Sequence, residues 1–222
     1  MLLRYGKRLD GEPMRILLVL TLLWTPFATA QERILGLVEI PSLPDFKTRL
    51  SETPGVILRE GPLANSALAA EVRSLSELKF REHLYGARSA VVYKIEHTDD
   101  ATWYQVRLAS TDRPGWISAE TTGAFHSAVE LINHGLAVLT PSWDKRLRLN
   151  YGKSETEFVA PLGGAEYPVS IAETAIVNGD PWFLVVVTDG ICGDGELTVL
   201  SAGWVPLYAA NGSLNLWYYN DC

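Results

Sequence analysis

The chain has 222 residues, with 19 Lys and Arg against 26 Asp and Glu, a formal net charge of −7 and only two cysteines. This deficit of basic residues argues against nucleic-acid binding, which requires a basic surface to displace counterions from phosphates. The 47% hydrophobic and 10% aromatic content argues against disorder and is typical of a globular protein with a substantial core.

The N-terminal region has the features of a secretory signal peptide. Four basic residues precede the apolar run 16–24, and the small-residue site Ala28-Thr29-Ala30 follows it. We therefore predict a signal peptide over residues 1–30, cleaved after Ala30, with translation starting at Met1 or Met14. A mature protein in the periplasm or secreted, with no membrane span, is expected; a buried helix over 16–24 is the alternative.

The charge of the predicted mature chain is unevenly distributed. Without residues 1–30, 15 basic and 24 acidic residues remain, a net charge of −9. Residues 31–153 carry 15 of each sign, whereas residues 154–222 contain no Lys, Arg or His. The acidic last third is therefore a candidate surface for a basic partner protein.

Both cysteines, Cys192 and Cys222, lie in this acidic segment. Export would place them in an oxidising compartment, so we predict that they form a disulfide. A reactive thiol at Cys192 is the alternative, but a catalytic thiolate needs an activating base and no His lies nearby in sequence.

Short β-rich runs separated by Gly, Pro, Asn and Asp predict an all-β protein. One short helix is expected over 126–133, ended by Gly135. The predicted strands, in chain order, are 78–83, 90–97, 103–108, 115–119, 169–176, 182–188, 204–207 and 214–219.

Three segments of the first half recur in the second half in the same order. The offsets between the paired segments are 91, 79 and 88 residues. The pairs are 56–62 with 147–153, 102–108 with 181–187, and 114–117 with 202–205. We infer that the chain contains two versions of one small β module.

The recurring residues resemble the bacterial Src homology 3 (SH3b) family. The resemblance is carried by Arg59-x-Gly61-Pro62, by the Trp-Tyr-x-Val-x-Leu strand 103–108 and by Gly-Trp-Ile at 115–117. The second copy has Asn150 and Lys153 where the first has Arg and Pro. The resemblance implies compact barrels of about five strands, exported in bacteria and often associated with cell-wall peptides.

This organisation divides the chain into five segments. After the signal peptide come an irregular segment over 31–53, a first SH3-like barrel over 54–122, a connector with a short helix over 123–144, and a second, divergent barrel over 145–222. The connector is too apolar for a flexible linker, so we expect the two barrels to pack together through it.

Aromatic residues of the first barrel are candidates for a ligand groove. Trp103, Tyr104, Trp116 and Glu120 form the predicted groove, because flat aromatic faces suit peptide recognition. The alternative is that these aromatic side chains are core residues that close the barrel.

The sequence contains no catalytic motif, no cofactor loop and no metal-ligand spacing, so we predict no enzymatic activity, no cofactor and no metal. The four histidines are scattered along the chain. Asp189, Asp194 and Glu196 lie in a Gly-rich stretch that could hold calcium, but they lack a calcium-loop spacing and suit a solvated hairpin tip.

We therefore predict a non-catalytic exported binding module of the bacterial envelope that recognises peptidoglycan or another envelope peptide. An interaction or inhibitor module whose acidic second barrel docks a basic partner protein is the alternative. A third possibility is an accessory to a cell-wall hydrolase.

Overall fold

A computed structural model describes residues 33–44, 55–83, 87–134, 136–151, 154–157, 167–189 and 198–219. Strands dominate these residues, which confirms the predicted β-rich fold, and within them no helix has the length and hydrophobicity required to cross a membrane. The predicted signal peptide, Gly135, Cys192 and Cys222 lie outside the described residues.

The first half of the described chain is built from short strands and two turns of 3-10 helix, at Leu75–Glu77 and Ala119–Thr121. The strands are β1 (Gly36–Val38), β2 (Val56–Arg59), β3 (Leu68–Val72), β4 (Phe80–His83), β5 (Ala87–Val92), β6 (Lys94–His97), β7 (Thr102–Arg107), β8 (Pro114–Ser118) and β9 (Phe125–Ser127).

Helix α1 (Ala128–Asn133) opens the second half. The Ser127 side chain caps it by accepting a hydrogen bond from the Glu130 backbone N–H at 3.1 Å, as the Ser-x-x-Glu pattern predicts. The strands that follow are β10 (Leu136–Leu139), β11 (Arg146–Asn150), β12 (Ser154–Glu157), β13 (Tyr167–Val177), β14 (Asp180–Thr188), β15 (Val199–Pro206) and β16 (Leu216–Tyr219).

The strands form three antiparallel sheets. Their orders are β3-β2-β8-β7-β6, β4-β5-β1-β9 and β12-β11-β15-β14-β13-β10-β16. None of the three sheets closes on itself. The β13–β14 hairpin turns at Asn178 and Gly179, whose positive φ angles of 53° and 86° are those of the tight turn that Asn-Gly favours.

The strand pairings follow a similar pattern in the two halves of the chain, which are called the first and the second repeat below. Arg59 of β2 pairs with Trp116 of β8, and Arg148 of β11 pairs with Trp204 of β15. On the other side of these tryptophans, Gln105 pairs with Trp116 as Leu184 pairs with Trp204. These registers relate the two halves by 79 residues at Gln105 and Leu184, by 88 at the two tryptophans and by 89 at the two arginines.

The repeat extends further toward the N-terminus than the sequence indicated. Strand β1 pairs with β5 and β9, just as β10 pairs with β13 and β16. Segment 31–53, predicted to be irregular, thus contributes β1, and the predicted connector contributes β9 and β10. These strands have three or four residues, too few for an alternating pattern to be recognised.

One predicted strand is divided in the structure. Residues 90–97 were expected to be continuous, but the strand ends at Val92 and a new one begins at Lys94, in a different sheet. The equivalent strand of the second repeat, β13, is unbroken and pairs with both β10 and β14. The second repeat is therefore one continuous sheet, whereas the first is split into two.

Two hydrophobic clusters form the core of the described part of the chain. The smaller one lies within the first repeat and includes Leu58, Val106 and Ile117. The larger one belongs mainly to the second repeat, but it also contains Leu37 and Val91 of the first. Residues of the predicted connector are buried in the larger cluster: Ala128, Leu131, Ile132, Ala137, Leu139 and Trp143.

Polar contacts also join the two repeats. Arg33 forms an ion pair with Asp180 at 2.5 Å, and its guanidinium lies 4.9 Å from the centre of the Tyr208 ring. The Tyr208 hydroxyl donates a hydrogen bond to the Ile34 carbonyl at 2.7 Å. The N-terminal end of the described chain is thereby held against the second repeat.

We expect Tyr208 to make the contact between the repeats sensitive to alkali. Burial raises the pKa of Tyr208 from 10.0 to about 12, with Asp180 also raising it and Arg33 opposing. As the pH rises, the unfolded chain releases the Tyr208 proton at a lower pH than the folded chain does. The stabilisation is therefore complete below pH 10 and is lost as the pH rises toward 12. Urea midpoints at pH 9 and pH 11 should differ more for the wild type than for Tyr208→Phe; an equal decrease would refute this role.

Candidate functional site

The structure separates the residues of the predicted groove. Trp103 and Trp116, which are 6% and 9% exposed, lie on the face of the five-stranded sheet opposite the smaller hydrophobic cluster. Tyr104 points into that cluster, where its ring stacks on Phe125 at 5.3 Å. Glu120 is exposed in the 3-10 turn after β8, and its backbone N–H donates to the Ser118 hydroxyl. Side chains alternate along a strand, so neighbouring residues 103 and 104 cannot share a surface.

A cavity of about 490 Å³ opens beside Trp103 on this outer face. Of the predicted groove residues, only Trp103 lines it. Its walls come from β2, β7, β8 and the turns next to them. The lining residues are Ser42, Gly55, Val56, Ile57, Arg59, Ala64, Trp103, Ser118 and Thr121.

The strand register explains why these side chains meet. Because Arg59 pairs with Trp116, Ile57 lies in the row of Ser118, which itself pairs with Trp103. Directly opposite residues in antiparallel strands project on the same face. Ile57, Ser118 and Trp103 therefore form one row across three strands, with Arg59 in the adjacent row.

Arg59 is the charged group of the cavity. Its Nη1 donates a hydrogen bond to the Ser66 carbonyl at 3.1 Å, and among the described residues no carboxylate pairs with it. The remaining polar groups are the hydroxyls of Ser42, Ser118 and Thr121. Sequence reasoning placed Arg59 in a motif but did not assign it to the site.

The groups that line the cavity are mainly apolar side chains and hydroxyls. No Asp, Glu, His or Cys is among the described residues that line it. It offers instead a flat aromatic wall, apolar side chains, one cation and hydroxyls. The exposed Ile57, Leu63 and Leu68 extend the apolar surface around it.

The second repeat covers the equivalent surface with its own side chains. The Arg148 guanidinium lies 5.5 Å from the centre of the Trp182 ring and pairs with Asp144 at 3.2 Å. Tyr151 packs edge-on against Trp204, with ring centres 4.8 Å apart. The two repeats thus share a strand arrangement but differ in the side chains that contact their tryptophans.

No metal site is evident in the described part of the chain, where no three His, Cys, Asp or Glu side chains cluster. Asp189, one of the three acidic residues considered above as calcium ligands, accepts a hydrogen bond from the Thr198 backbone N–H at 3.0 Å. Hydrogen bonds from Thr198 lower the pKa of Asp189, which fits a carboxylate that closes a hairpin. Asp194 and Glu196 lie outside the described residues.

The cavity at Trp103 is therefore taken as the candidate site, and its chemistry is interpreted from its own residues. No family model, no curated protein and no solved structure matches the chain.

Proposed function

We propose that the protein is a non-catalytic binding module whose first repeat takes a peptide into the cavity at Trp103. The observation that carries this proposal is the cavity itself, which combines an apolar wall, the Arg59 guanidinium and three hydroxyls. Its volume of about 490 Å³ is in the range of small-ligand sites, roughly 300–1,000 Å³.

Peptidoglycan is the peptide source that fits best with the predicted location. Its stem peptides carry small apolar side chains, which suit contact with Ile57 and Trp103, and carboxylates, which suit Arg59. The predicted signal peptide would bring the protein to the periplasm or the cell exterior, where this polymer lies. The two repeats, on this proposal, are divergent members of the SH3-like family, and the mature chain carries the Cys192–Cys222 disulfide.

Co-sedimentation with purified peptidoglycan tests this function. We expect the wild type to sediment with the polymer and Ile57→Glu to lose at least about tenfold in affinity, because Ile57 is 41% exposed in the cavity wall. Ile176→Glu is the matched control, since Ile176 is 63% exposed on β13 and does not line the cavity. It should bind like the wild type.

Two results would refute the proposal. One is a wild-type protein that stays in solution, and the other is an equal loss of binding in both Glu variants, which would show simple charge repulsion. Trp116→Ala is a poor probe, because Trp116 is only 9% exposed and does not line the cavity, so its truncation would perturb the sheet instead.

A second candidate function is the docking of a basic partner protein on the acidic second repeat. The observation in its favour is the absence of Lys, Arg and His from residues 154–222, which carry nine acidic residues. Such docking is driven by long-range attraction and should weaken as salt rises. Capture of a cationic protein that is unaffected by salt would contradict it.

A further inference from the structure

We infer that the cavity of the first repeat recognises a carboxylate through Arg59, and that the second repeat contains the same site already filled from within. This inference rests on the proposed function and specifies the chemical group of the ligand that makes the decisive contact.

The two repeats place an arginine and two tryptophans equivalently. Arg59 pairs with Trp116 and Arg148 pairs with Trp204, so each arginine occupies the same position in its sheet. Trp103 and Trp182 lie at equivalent positions of the neighbouring strand, two residues before the partners of Trp116 and Trp204. The second repeat can therefore be used as an internal reference for the first.

In the second repeat the arginine has a carboxylate partner. Asp144, four residues before Arg148 in the chain, accepts from its Nη2 at 3.2 Å. Asp144 is fixed in place because its other oxygen accepts from the Arg146 backbone N–H at 3.1 Å. The Arg148 side chain is largely buried and lies over Trp182, so the carboxylate, the guanidinium and the ring form one stack.

In the first repeat, no carboxylate of the described residues pairs with the arginine. The residue four positions before Arg59 is Gly55, which lines the cavity. Glu71 lies against Gly55, where an added Cβ would be 2.5 Å from its Oε1, but its ion pair is with Arg73 at 2.9 Å. Glu60 pairs with Arg113 at 2.8 Å. Arg59 thus faces the cavity with a neutral carbonyl as its partner.

A half-buried guanidinium is better satisfied by a carboxylate than by a neutral acceptor, because charge-assisted hydrogen bonds are shorter and about twice as strong. A ligand carboxylate hydrogen-bonded to the Arg59 guanidinium would reproduce the charge-assisted contact that Asp144 makes with Arg148 in the second repeat. Apolar groups next to that carboxylate would then lie against Trp103 and Ile57. In a stem peptide, this carboxylate is either the C-terminal one or one on a side chain.

Calorimetric titration of the full chain with the peptide acetyl-Lys-D-Ala-D-Ala tests the inference. The peptide is used in two forms, the free acid and the C-terminal amide. We expect the free acid to bind at least about tenfold more tightly. Arg59→Gln should abolish this preference, and Arg59→Lys, which retains the charge but not the two-pronged geometry, should retain part of it. Arg148→Gln is the matched control and should preserve the preference. Near-ultraviolet circular dichroism verifies that each variant is folded.

Peptidoglycan with its carboxyl groups converted to amides distinguishes the two sources of the carboxylate. If the two short peptides bind alike but amidation of the polymer weakens sedimentation of the wild type and does not weaken that of Arg59→Gln further, the side-chain carboxylate is the ligand and the inference stands. If amidation has no effect and the peptides bind alike, the inference is overturned while the proposed function survives. If neither peptide nor polymer binds, both are overturned.

Discussion

Replacing Phe183 by alanine is expected to lower the free energy of unfolding by about 3–5 kcal/mol, which would be among the largest effects of any single substitution. Phe183 on β14 is fully buried and belongs to the larger hydrophobic cluster. Its truncation removes apolar contacts and leaves a cavity that the surrounding strands can fill only in part.

Urea unfolding followed by tryptophan fluorescence measures this loss. Phe183→Leu is the control, because it retains most of the side-chain volume and should cost less than about 2 kcal/mol. The larger cluster also contains Leu37 and Val91, so we expect a single cooperative transition for both repeats. A loss below about 1 kcal/mol for alanine would show that Phe183 is not packed as described.

Gly36→Ala is expected to destabilise the protein by about 3 kcal/mol, although it adds only one methyl group. Gly36 lies on β1, between β5 and β9. An added Cβ would clash with the His126 backbone carbonyl and would lie 2.9 Å from two atoms of the Phe125 ring. A backbone carbonyl cannot move aside without breaking the β1–β9 pairing.

Gly61→Ala is the matched control for this substitution. A Cβ at Gly61 would meet only the Ser66 side chain, with its Oγ at 3.0 Å, and that hydroxyl can rotate away. Its thermal midpoint should stay near that of the wild type, whereas Gly36→Ala should unfold at a clearly lower temperature. Equal midpoints for the two variants would mean that β9 does not approach β1 as closely as described.

The longer strands were predictable because they carry a readable pattern. In β7, Tyr104 and Val106 face the core while Trp103 and Gln105 face outward, and every predicted strand overlaps an observed one. Strands β1, β9 and β10 could not be predicted, because they are short and are defined by their partners rather than by their own residues. The break at Tyr93 between β5 and β6 also depends on pairing with other strands, because the two strands belong to different sheets.

The candidate site was predicted only in part. Of the predicted groove residues, Trp103 lines the cavity, whereas Tyr104 points into the core, because side chains alternate along a strand. Ser42 and Thr121 reach the cavity from turns that the sequence does not bring together. The sequence did not indicate that Arg59 could bind a carboxylate, because this inference depends on the ion pair between its counterpart Arg148 and Asp144.

The burial of Leu37 and Val91 within the larger cluster has a consequence for the time course of folding. These residues belong to the first repeat, yet their neighbours extend to Tyr218 near the other end of the chain. A nascent chain that emerges N-terminus first, from a ribosome or from an export channel, therefore exposes this apolar surface until almost its whole length has been released. Contacts between such distant residues make folding slow. A chaperone that shields residues 36–92 during this interval would increase the yield of native protein without binding the finished fold.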